Sequence, residues 1–422
     1  MGSIDEAVPS FNASSPPARF RKVTGPDECD LFGSEEHARL RALVPVAARS
    51  DVTFLNAGFM PPMNARVKAA LEGYLNEAST YPNPKPLWQQ TTVEARRKLA
   101  TFLNVAPDSI AFTRDTTEGL NLFQRSLKIK SGDNVVVLDV EHPNHAYGWL
   151  GLTELGLKVR LVPTENQFFA NAETFAPYVD DRTVAIGVSS VMFHSGQRND
   201  VQDIASRYRP QGIHVLVDIT QHIGAGKVDL AAWNVSAAAF SMHKALGCPT
   251  GLGGLYIDPS ILPTLKVAPP VVGAGAIANL SADLVAKEDV VYHSTAARYE
   301  HLNVSLIGIA ALKAALSFVA DEMGIDRIER HLSALGRDLA CKTETLGLRL
   351  VGSSNPGEHA PHVYVLPLLH PDWKTHFARS GVVVSHYRCG IRVSFGFYNS
   401  TDDVDHLVAV VAKGLAAGIP RD

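Results

Sequence analysis

The sequence has little cysteine, no long apolar run and no excess of positive charge. Its four cysteines, Cys29, Cys248, Cys341 and Cys389, lie far apart and fit no zinc-binding spacing, so we expect no metal site and a reducing compartment. No apolar run reaches the ~18 residues of a membrane helix, and the polar first 20 residues lack the apolar centre of a secretory signal. The net charge of −4 provides no basic field for nucleic acid or anionic lipid. These absences predict a soluble, cytoplasmic protein with no nucleic-acid or membrane partner.

The chain does contain a regular alternation of strand and helix signals. Its 422 residues are 46% hydrophobic and 19% charged, which is typical of a globular protein. Short runs rich in Val, Ile and Leu alternate with helical segments, which favours an α/β fold with a mostly parallel sheet sandwiched by helices. These runs occupy residues 109–113, 134–140, 158–163, 184–191, 214–219 and 251–257.

The pattern changes after about residue 289, where a long helical signal at 303–323 precedes shorter strand and helix signals. We therefore predict a flexible N-terminal arm over 1–35 and a large domain over 36–285, whose first part contributes to the small domain. The smaller α+β domain is predicted over 286–422.

Polar residues follow several strand signals, and ligands bind at this edge of open α/β sheets. Thr116 and Thr117 open a helix whose free N–H groups favour an anion, most simply a phosphate. An ordinary capping box explains the same residues. His142 offers a planar ring for stacking on a flat ligand, although taken by itself an ordinary loop histidine is the simpler interpretation. The segment "HPNH" lacks a third ligand at a suitable spacing, so it predicts no metal site.

Asp218 ends a buried strand and needs a partner there. It either caps the next segment or binds a protonated heterocyclic nitrogen. Lys244 lies among apolar neighbours, which should desolvate its amine, lower its pKa and favour the neutral nucleophile. A solvated surface lysine is the alternative. A phosphate site, a stacking ring, a carboxylate and an imine-forming lysine together describe a site for pyridoxal phosphate.

Five segments occur in the order of one family's motifs: "FTRDTTEGLNLF", "EHPNHAYGW", "VDITQHIG", "FSMHKALGCPTGLGGLYI" and "IRVSFGFYNSTDDVDHL". In them the chain resembles fold type I pyridoxal-phosphate enzymes of the class V aminotransferase family, in the isopenicillin N epimerase-like and cysteine desulfurase-like branch. The resemblance covers the chain from about residue 54 to the C-terminal helix. It implies a seven-stranded, mostly parallel sheet with a smaller C-terminal α+β domain. It also implies a homodimer with the active site at the subunit interface.

The resemblance implies that Lys244 holds the cofactor as an aldimine, that Asp218 keeps the pyridine nitrogen protonated and that His142 stacks on the ring. These three residues are the predicted catalytic set. The further cofactor residues that it implies are Gln221 at the phenolic oxygen, Thr116, Thr117, Ser241 and His243 at the phosphate, and Asn303. Asn303 stands where the family usually has a threonine that reaches the partner's phosphate. The predicted substrate residues are Arg392, which would clamp the carboxylate, Phe59 and His194.

We expect an enzyme that acts on an α-amino acid, or a substrate derived from one, through a Schiff base and a Cα carbanion or quinonoid. Epimerisation, C–S lysis or another β-elimination, and carbon–carbon bond chemistry all stay open, including reactions of secondary metabolism. Transamination is an alternative, and cysteine desulfuration is another. Desulfuration needs a mobile thiol, whereas Cys389 lies three residues before Arg392 and on the opposite face of an extended strand.

Two further alternatives come from other classes of protein. The segment "GAGAIA" at 273–278 matches the G-x-G-x-x-A fingerprint of NAD-dependent oxidoreductases, but Pro269 and Pro270 break the strand that should precede it. A non-catalytic protein that kept the fold is the second alternative. The joint presence of Lys244, Asp218 and Arg392 argues against it.

Overall fold

The computed structural model describes residues 30–164 and 168–422. The strands are β1 (Thr53–Phe54), β2 (Ile110–Thr113), β3 (Asn134–Leu138), β4 (Lys158–Val162), β5 (Thr183–Ser189), β6 (His214–Asp218), β7 (Ala237–Ser241), β8 (Gly253–Ile257), β9 (Val363–Leu366), β10 (Val382–Val383), β11 (Ser385–Tyr387) and β12 (Gly390–Ser394).

The helices alternate with these strands in the first two thirds of the chain and dominate the last third. They are α1 (Ser34–Ala42), α2 (Ala65–Thr80), α3 (Lys85–Leu103), α4 (Thr116–Ser126), α5 (Pro143–Leu150), α6 (Ala172–Phe175), α7 (Val201–Tyr208), α8 (Leu230–Trp233), α9 (Leu306–Leu316), α10 (Ile325–Glu344), α11 (Asp372–Arg379) and α12 (Thr401–Ala416).

A seven-stranded sheet in the order β2-β8-β7-β6-β5-β3-β4 forms the centre of the molecule. Strands β3 to β7 are parallel to their neighbours in this group, whereas β8 is antiparallel to both β7 and β2. The predicted α/β fold with a mostly parallel sheet is therefore confirmed.

Both faces of this sheet are buried, which explains why its strands are apolar runs without a polar alternation. In β3, Val135 and Val137 pack into one apolar cluster with Phe123 of α4. Val136 and Leu138 point the other way, into the larger cluster. Because β2 runs in the same direction as β3 to β7, the carboxyl ends of these strands open at one edge of the sheet.

A smaller unit is built from the three-stranded antiparallel sheet β11-β12-β9 with α10, α11 and α12. The early strand β1 pairs in parallel with β10, and Asn56 bridges to Ser394. The predicted helix at 303–323 consists of α9 followed by a π-helical stretch at Ser317–Met323.

The predicted arm lies mostly outside the described residues, as does Cys29. The described part of this segment is packed: Phe32 is buried and stacks on His331 at a ring distance of 4.3 Å, and Arg337 donates to Asp30 at 2.5 Å. The domain boundaries at residues 35 and 285 stay predictions.

Within the described ranges, no helix is both long and apolar enough to cross a membrane. The same residues contain no group of three or more His, Cys, Asp or Glu side chains suited to holding a metal ion.

Candidate active site

The Lys244 amine lies just beyond the carboxyl end of β7, a strand whose five residues are all buried. Its Nζ donates to the Gly58 carbonyl oxygen at 3.2 Å. Burial and the nearby Arg392 guanidinium lower the pKa of Lys244 to about 8, against the opposing attraction of Asp218. About a tenth of the amine is therefore neutral, and so nucleophilic, at pH 7, far more than for an ordinary lysine.

Asp218 ends β6, and its side chain is buried. Its Oδ1 accepts a hydrogen bond from the Thr220 backbone N–H at 2.8 Å. No Lys, Arg or His nitrogen of the described residues lies within ion-pair distance of this carboxylate. A buried carboxylate without a cationic partner is costly, so the position suits a protonated ring nitrogen of a ligand.

Three hydroxyl groups converge where α4 begins. The Thr116 backbone N–H donates to Ser241 Oγ at 2.9 Å, and Thr116 Oγ1 lies 2.7 Å from both Ser241 Oγ and Thr220 Oγ1. Asp115 caps the helix by accepting from the Glu118 N–H at 2.8 Å. Rotatable hydroxyls beside the positive end of a helix fit a phosphate group.

Gln221 connects this sheet edge to the chain before α2. Its Nε2 donates to the Gly58 carbonyl oxygen at 2.8 Å, the same oxygen that Lys244 contacts. Its Oε1 is buried and has no hydrogen-bond partner among the described residues. An unpaired buried amide oxygen indicates a polar group of a ligand at this point.

His142 caps α5, where its Nδ1 accepts from the Asn144 N–H at 3.2 Å. Burial and the Lys244 charge lower its pKa, and Asp218 opposes this shift. The ring is therefore neutral and meets Phe193 edge-on, with 4.9 Å between the ring centres. A neutral aromatic ring held beside Lys244 and Asp218 suits stacking on a flat ligand.

Arg392 lies on β12 and is only 1% exposed. It donates from Nη1 to the Phe193 carbonyl oxygen at 2.7 Å and from Nη2 to Asn56 Oδ1 at 3.4 Å, and its guanidinium carbon lies 4.6 Å from the centre of the Tyr387 ring. Its Nε has no partner, and no carboxylate of the described residues pairs with it. The charge is therefore ready for an anionic ligand.

The other predicted residues differ in burial and in their neighbours. His243 lies close enough to Lys244 and Asp115 for their charges to act on it, and burial lowers its pKa. His194 is buried beside Arg388, whereas Phe59 is 60% exposed next to Gly58.

Thr117 is half-buried, and its backbone carbonyl accepts from Asn121. Asn303 is exposed, and its side chain has no hydrogen bond within the described part of the chain. The structure therefore brings Lys244, Asp218, Thr116, Ser241 and Gln221 together but adds no contact for Asn303.

Several site residues do not emerge from the sequence. Thr220 lies two residues after Asp218 and completes the hydroxyl cluster, so its place in "VDIT" is the signal that could have found it. Asn56, which lies in "LNAGF", shares its Oδ1 between Arg392 and the Ser385 hydroxyl. Only the folded chain brings this asparagine near the arginine.

A second buried layer lies behind the site. Glu141 accepts from the Ser189 backbone N–H at 2.7 Å and from the Ser189 hydroxyl at 2.6 Å. Burial, together with the Asp218 charge, raises the pKa of Glu141 to about 7. Burial also lowers the pKa of His145 to about 4, so this imidazole is neutral.

The glycine-rich segment 273–278 is not a dinucleotide fingerprint in the folded chain. It forms a 3₁₀ turn at Ala274–Ala276, with no strand before it and no α-helix after it. Gly275 packs so closely on the 300–302 backbone that an added Cβ would lie 2.6 Å from the Leu302 nitrogen.

The fold and this cluster define a fold type I pyridoxal-phosphate enzyme. The unpaired carboxylate matches the ring nitrogen of that cofactor, and the three hydroxyls match its phosphate. The unpartnered Gln221 oxygen matches its polar ring substituent, and the desolvated lysine matches its aldehyde. The model of the Aminotransferase class-V family matches residues 65–407, and the chain belongs to this family. The predicted family and cofactor are confirmed.

Two relatives agree with this membership. A Schizosaccharomyces pombe protein called an uncharacterized aminotransferase is 50% identical over 92% of this chain and 99% of its own length. A probable cysteine desulfurase of Methanothermobacter thermautotrophicus is 31% identical over 67% of this chain and 70% of its own.

Solved structures show the same fold. The apo cysteine desulfurase of Thermococcus onnurineus NA1 superposes with a TM-score of 0.80 at 23% identity, over 90% of this chain and 98% of that one. The cystine C-S lyase C-DES, in complex with cysteine persulfide, gives a TM-score of 0.76 at 22% identity, over 86% of this chain and 98% of that one.

Proposed function

We propose that the chain removes the Cα proton of an α-amino acid, or of a substrate derived from one, and completes an epimerisation or an elimination such as C–S lysis. The observation that carries this proposal is the Lys244 amine, whose pKa of about 8 suits a base at neutral pH, held between Asp218 and Arg392.

The cofactor residues divide by the part of the group that they would hold. Lys244 would hold the aldehyde, Asp218 the protonated ring nitrogen, and Thr116 and Ser241 the phosphate. The neutral His142 ring would cover one face. When bound, pyridoxal phosphate supplies an electron sink that acidifies the Cα–H bond. Thr117, His243 and Asn303 stay predictions for the phosphate.

Arg392 would bind the substrate carboxylate. Its burial prevents water from screening this charge, and Asn56 with the Phe193 carbonyl fixes the plane of the guanidinium. A carboxylate fixed in this way limits how the substrate Cα can sit relative to Lys244. The chain therefore selects which bond of Cα is positioned for the base.

The test is incubation of the cofactor-loaded enzyme with a panel of amino acids in deuterated water, followed by NMR. We expect the wild type to introduce deuterium at Cα without forming keto acid. The Lys244→Ala variant should introduce no deuterium. Borohydride trapping and peptide mass spectrometry should find the cofactor on Lys244. A loaded enzyme that exchanges no Cα proton of any substrate would refute the proposal.

Transamination and cysteine desulfuration are the competing outcomes, and the names of the two relatives support both. Keto acid formation would indicate transamination. Alanine and persulfide from cysteine would indicate desulfuration. Against a persulfide role, Cys389 lies in the tight turn between β11 and β12, and burial raises the pKa of its thiol.

We also propose a homodimer with the active site at the subunit interface. Apolar side chains around the site support it: Phe59 is 60% exposed, Met60 50% and Tyr147 70%, a degree of exposure that favours coverage by a partner. Light scattering should give twice the chain mass. Phe59→Asp should lower it towards the monomer, whereas Leu155→Asp on the surface should not. The cytoplasmic location stays a prediction.

A further inference from the structure

Two arginines reach the same short loop. Arg392 donates to the carbonyl of Phe193, and Arg388, in the turn between β11 and β12, places Nη2 3.0 Å from His194 Nε2. Arg388 is exposed, and its further polar contact is the Cys389 thiol. Neither guanidinium pairs with a carboxylate of the described residues. Two unneutralised positive charges therefore border one loop beside the site.

His194 adds a third donor. Burial and both arginines lower its pKa to about 3, so its imidazole is neutral. Because Arg388 approaches Nε2 with a donor, Nε2 must be the acceptor and the proton must lie on Nδ1. This Nδ1 is buried, and it has no hydrogen-bond partner within the described part of the chain. Unsatisfied donors and positive charge, without a neutralising acceptor, indicate an oxyanion.

The two arginines occupy different depths. Arg392 is 1% exposed and lies close enough to Lys244 to lower the pKa of its amine, whereas Arg388 is exposed to solvent. An oxyanion at Arg392 therefore lies near the reacting carbon. An oxyanion at Arg388 lies further out, where the side chain of the same substrate would extend.

We infer that Arg388, supported by His194, binds an oxyanion at the end of the substrate side chain, so that the substrate class is acidic α-amino acids. This inference rests on the proposed function, because it assigns the α-carboxylate to Arg392. It defines the specificity of the site rather than its chemistry.

The first experiment compares Cα exchange of matched acidic and neutral substrates by the loaded enzyme, glutamate against glutamine and aspartate against asparagine. We expect the acids to be preferred. Arg388→Gln should lower kcat/KM for the acids by about tenfold to a hundredfold, as for the loss of one charge-assisted hydrogen bond, and leave the amides unchanged. Arg388→Lys should recover part of the loss. Arg379→Gln, which removes an exposed charge on α11, is the matched control.

A second measurement does not depend on turnover. Calorimetric titration of the loaded enzyme with glutarate and with butyrate compares a dianion with a monoanion of similar length. Glutarate should bind at least tenfold more tightly, and Arg388→Gln should remove this difference. Equal binding of both anions, or an equal loss for acids and amides in Arg388→Gln, overturns the inference. If no amino acid exchanges its Cα proton but glutarate still binds through Arg388, only the proposed function fails.

Discussion

Replacing Lys244 with methionine should stabilise the cofactor-free protein, because the wild type buries an amine at an energetic cost. The pKa of Lys244 falls from the usual 10.5 to about 8. The folded state thus binds this proton less well than the unfolded state does. Stability therefore rises with pH between about 8 and 10.5, and below pH 8 the full penalty applies. At about 1.36 kcal/mol per pKa unit, the penalty is about 3.3 kcal/mol at pH 7.

The contacts that the substitution removes do not cancel this gain. The Gly58 carbonyl oxygen loses its bond from Lys244 but keeps the 2.8 Å bond from Gln221 Nε2, so no buried acceptor is left unpaired. Methionine is close to lysine in length and fills the same apolar surroundings. The substitution should therefore still raise the free energy of unfolding at pH 7.

The assay is thermal unfolding of both proteins, freed of cofactor, at pH 7 and pH 9.5. For a chain of this length about 3 kcal/mol raises Tm by roughly 3 °C. The gain should fall to about 1.4 kcal/mol at pH 9.5, because the unfolded lysine then also begins to lose its proton. Lys374→Met, at an exposed position on α11, should show no pH-dependent difference. Equal gains at both pH values, or a loss at pH 7, would refute the reasoning.

Three further perturbations test other parts of the site. Glu141→Gln should stabilise the protein more at pH 8 than at pH 5. The buried carboxyl has a pKa of about 7, so at pH 8 the folded wild type holds a costly buried negative charge that is mostly neutralised at pH 5. Thermal unfolding at both pH values measures the difference. Gly253→Ala should destabilise the protein by about 1–3 kcal/mol in urea titrations and weaken cofactor binding, since its Cβ would lie 2.7 Å from the Asp115 backbone. Cys389→Ser should leave turnover of the best substrate unchanged, and a loss of sulfur release from cysteine with retained folding would contradict this expectation.

The central sheet was predictable because its strands bury both faces and so appear as uninterrupted apolar runs. Single-sequence patterns do not encode strand direction, so the antiparallel position of β8 between β2 and β7 could not be derived. The apolar run at 381–387, one of the shorter strand signals in the last third of the chain, divides into β10 and β11, which pair with different partners. A continuous apolar run does not reveal that division.

The site was predictable where its residues lie at or just beyond the ends of strands, as Asp218 and Lys244 do. It was not predictable where residues far apart in the sequence come into contact: Asn56 and Arg392 are hydrogen-bonded although 336 positions separate them. Arg388 was not predicted either, because an arginine in a turn between two strands is usually a solvated residue. Its meaning depends on the buried His194 beside it.

The parallel pairing of β1 with β10, with the Asn56–Ser394 bridge beyond it, sets a limit on when the site can form during synthesis. The Gly58 carbonyl oxygen accepts from the Lys244 amine, and the Gly58 backbone N–H donates to Ser394 Oγ at 2.8 Å. A ribosome must therefore synthesise and release the chain through β12 before these partners can meet. Nascent chains that stop short of β12 would lack Arg392 as well, so cofactor capture should follow the synthesis of β12.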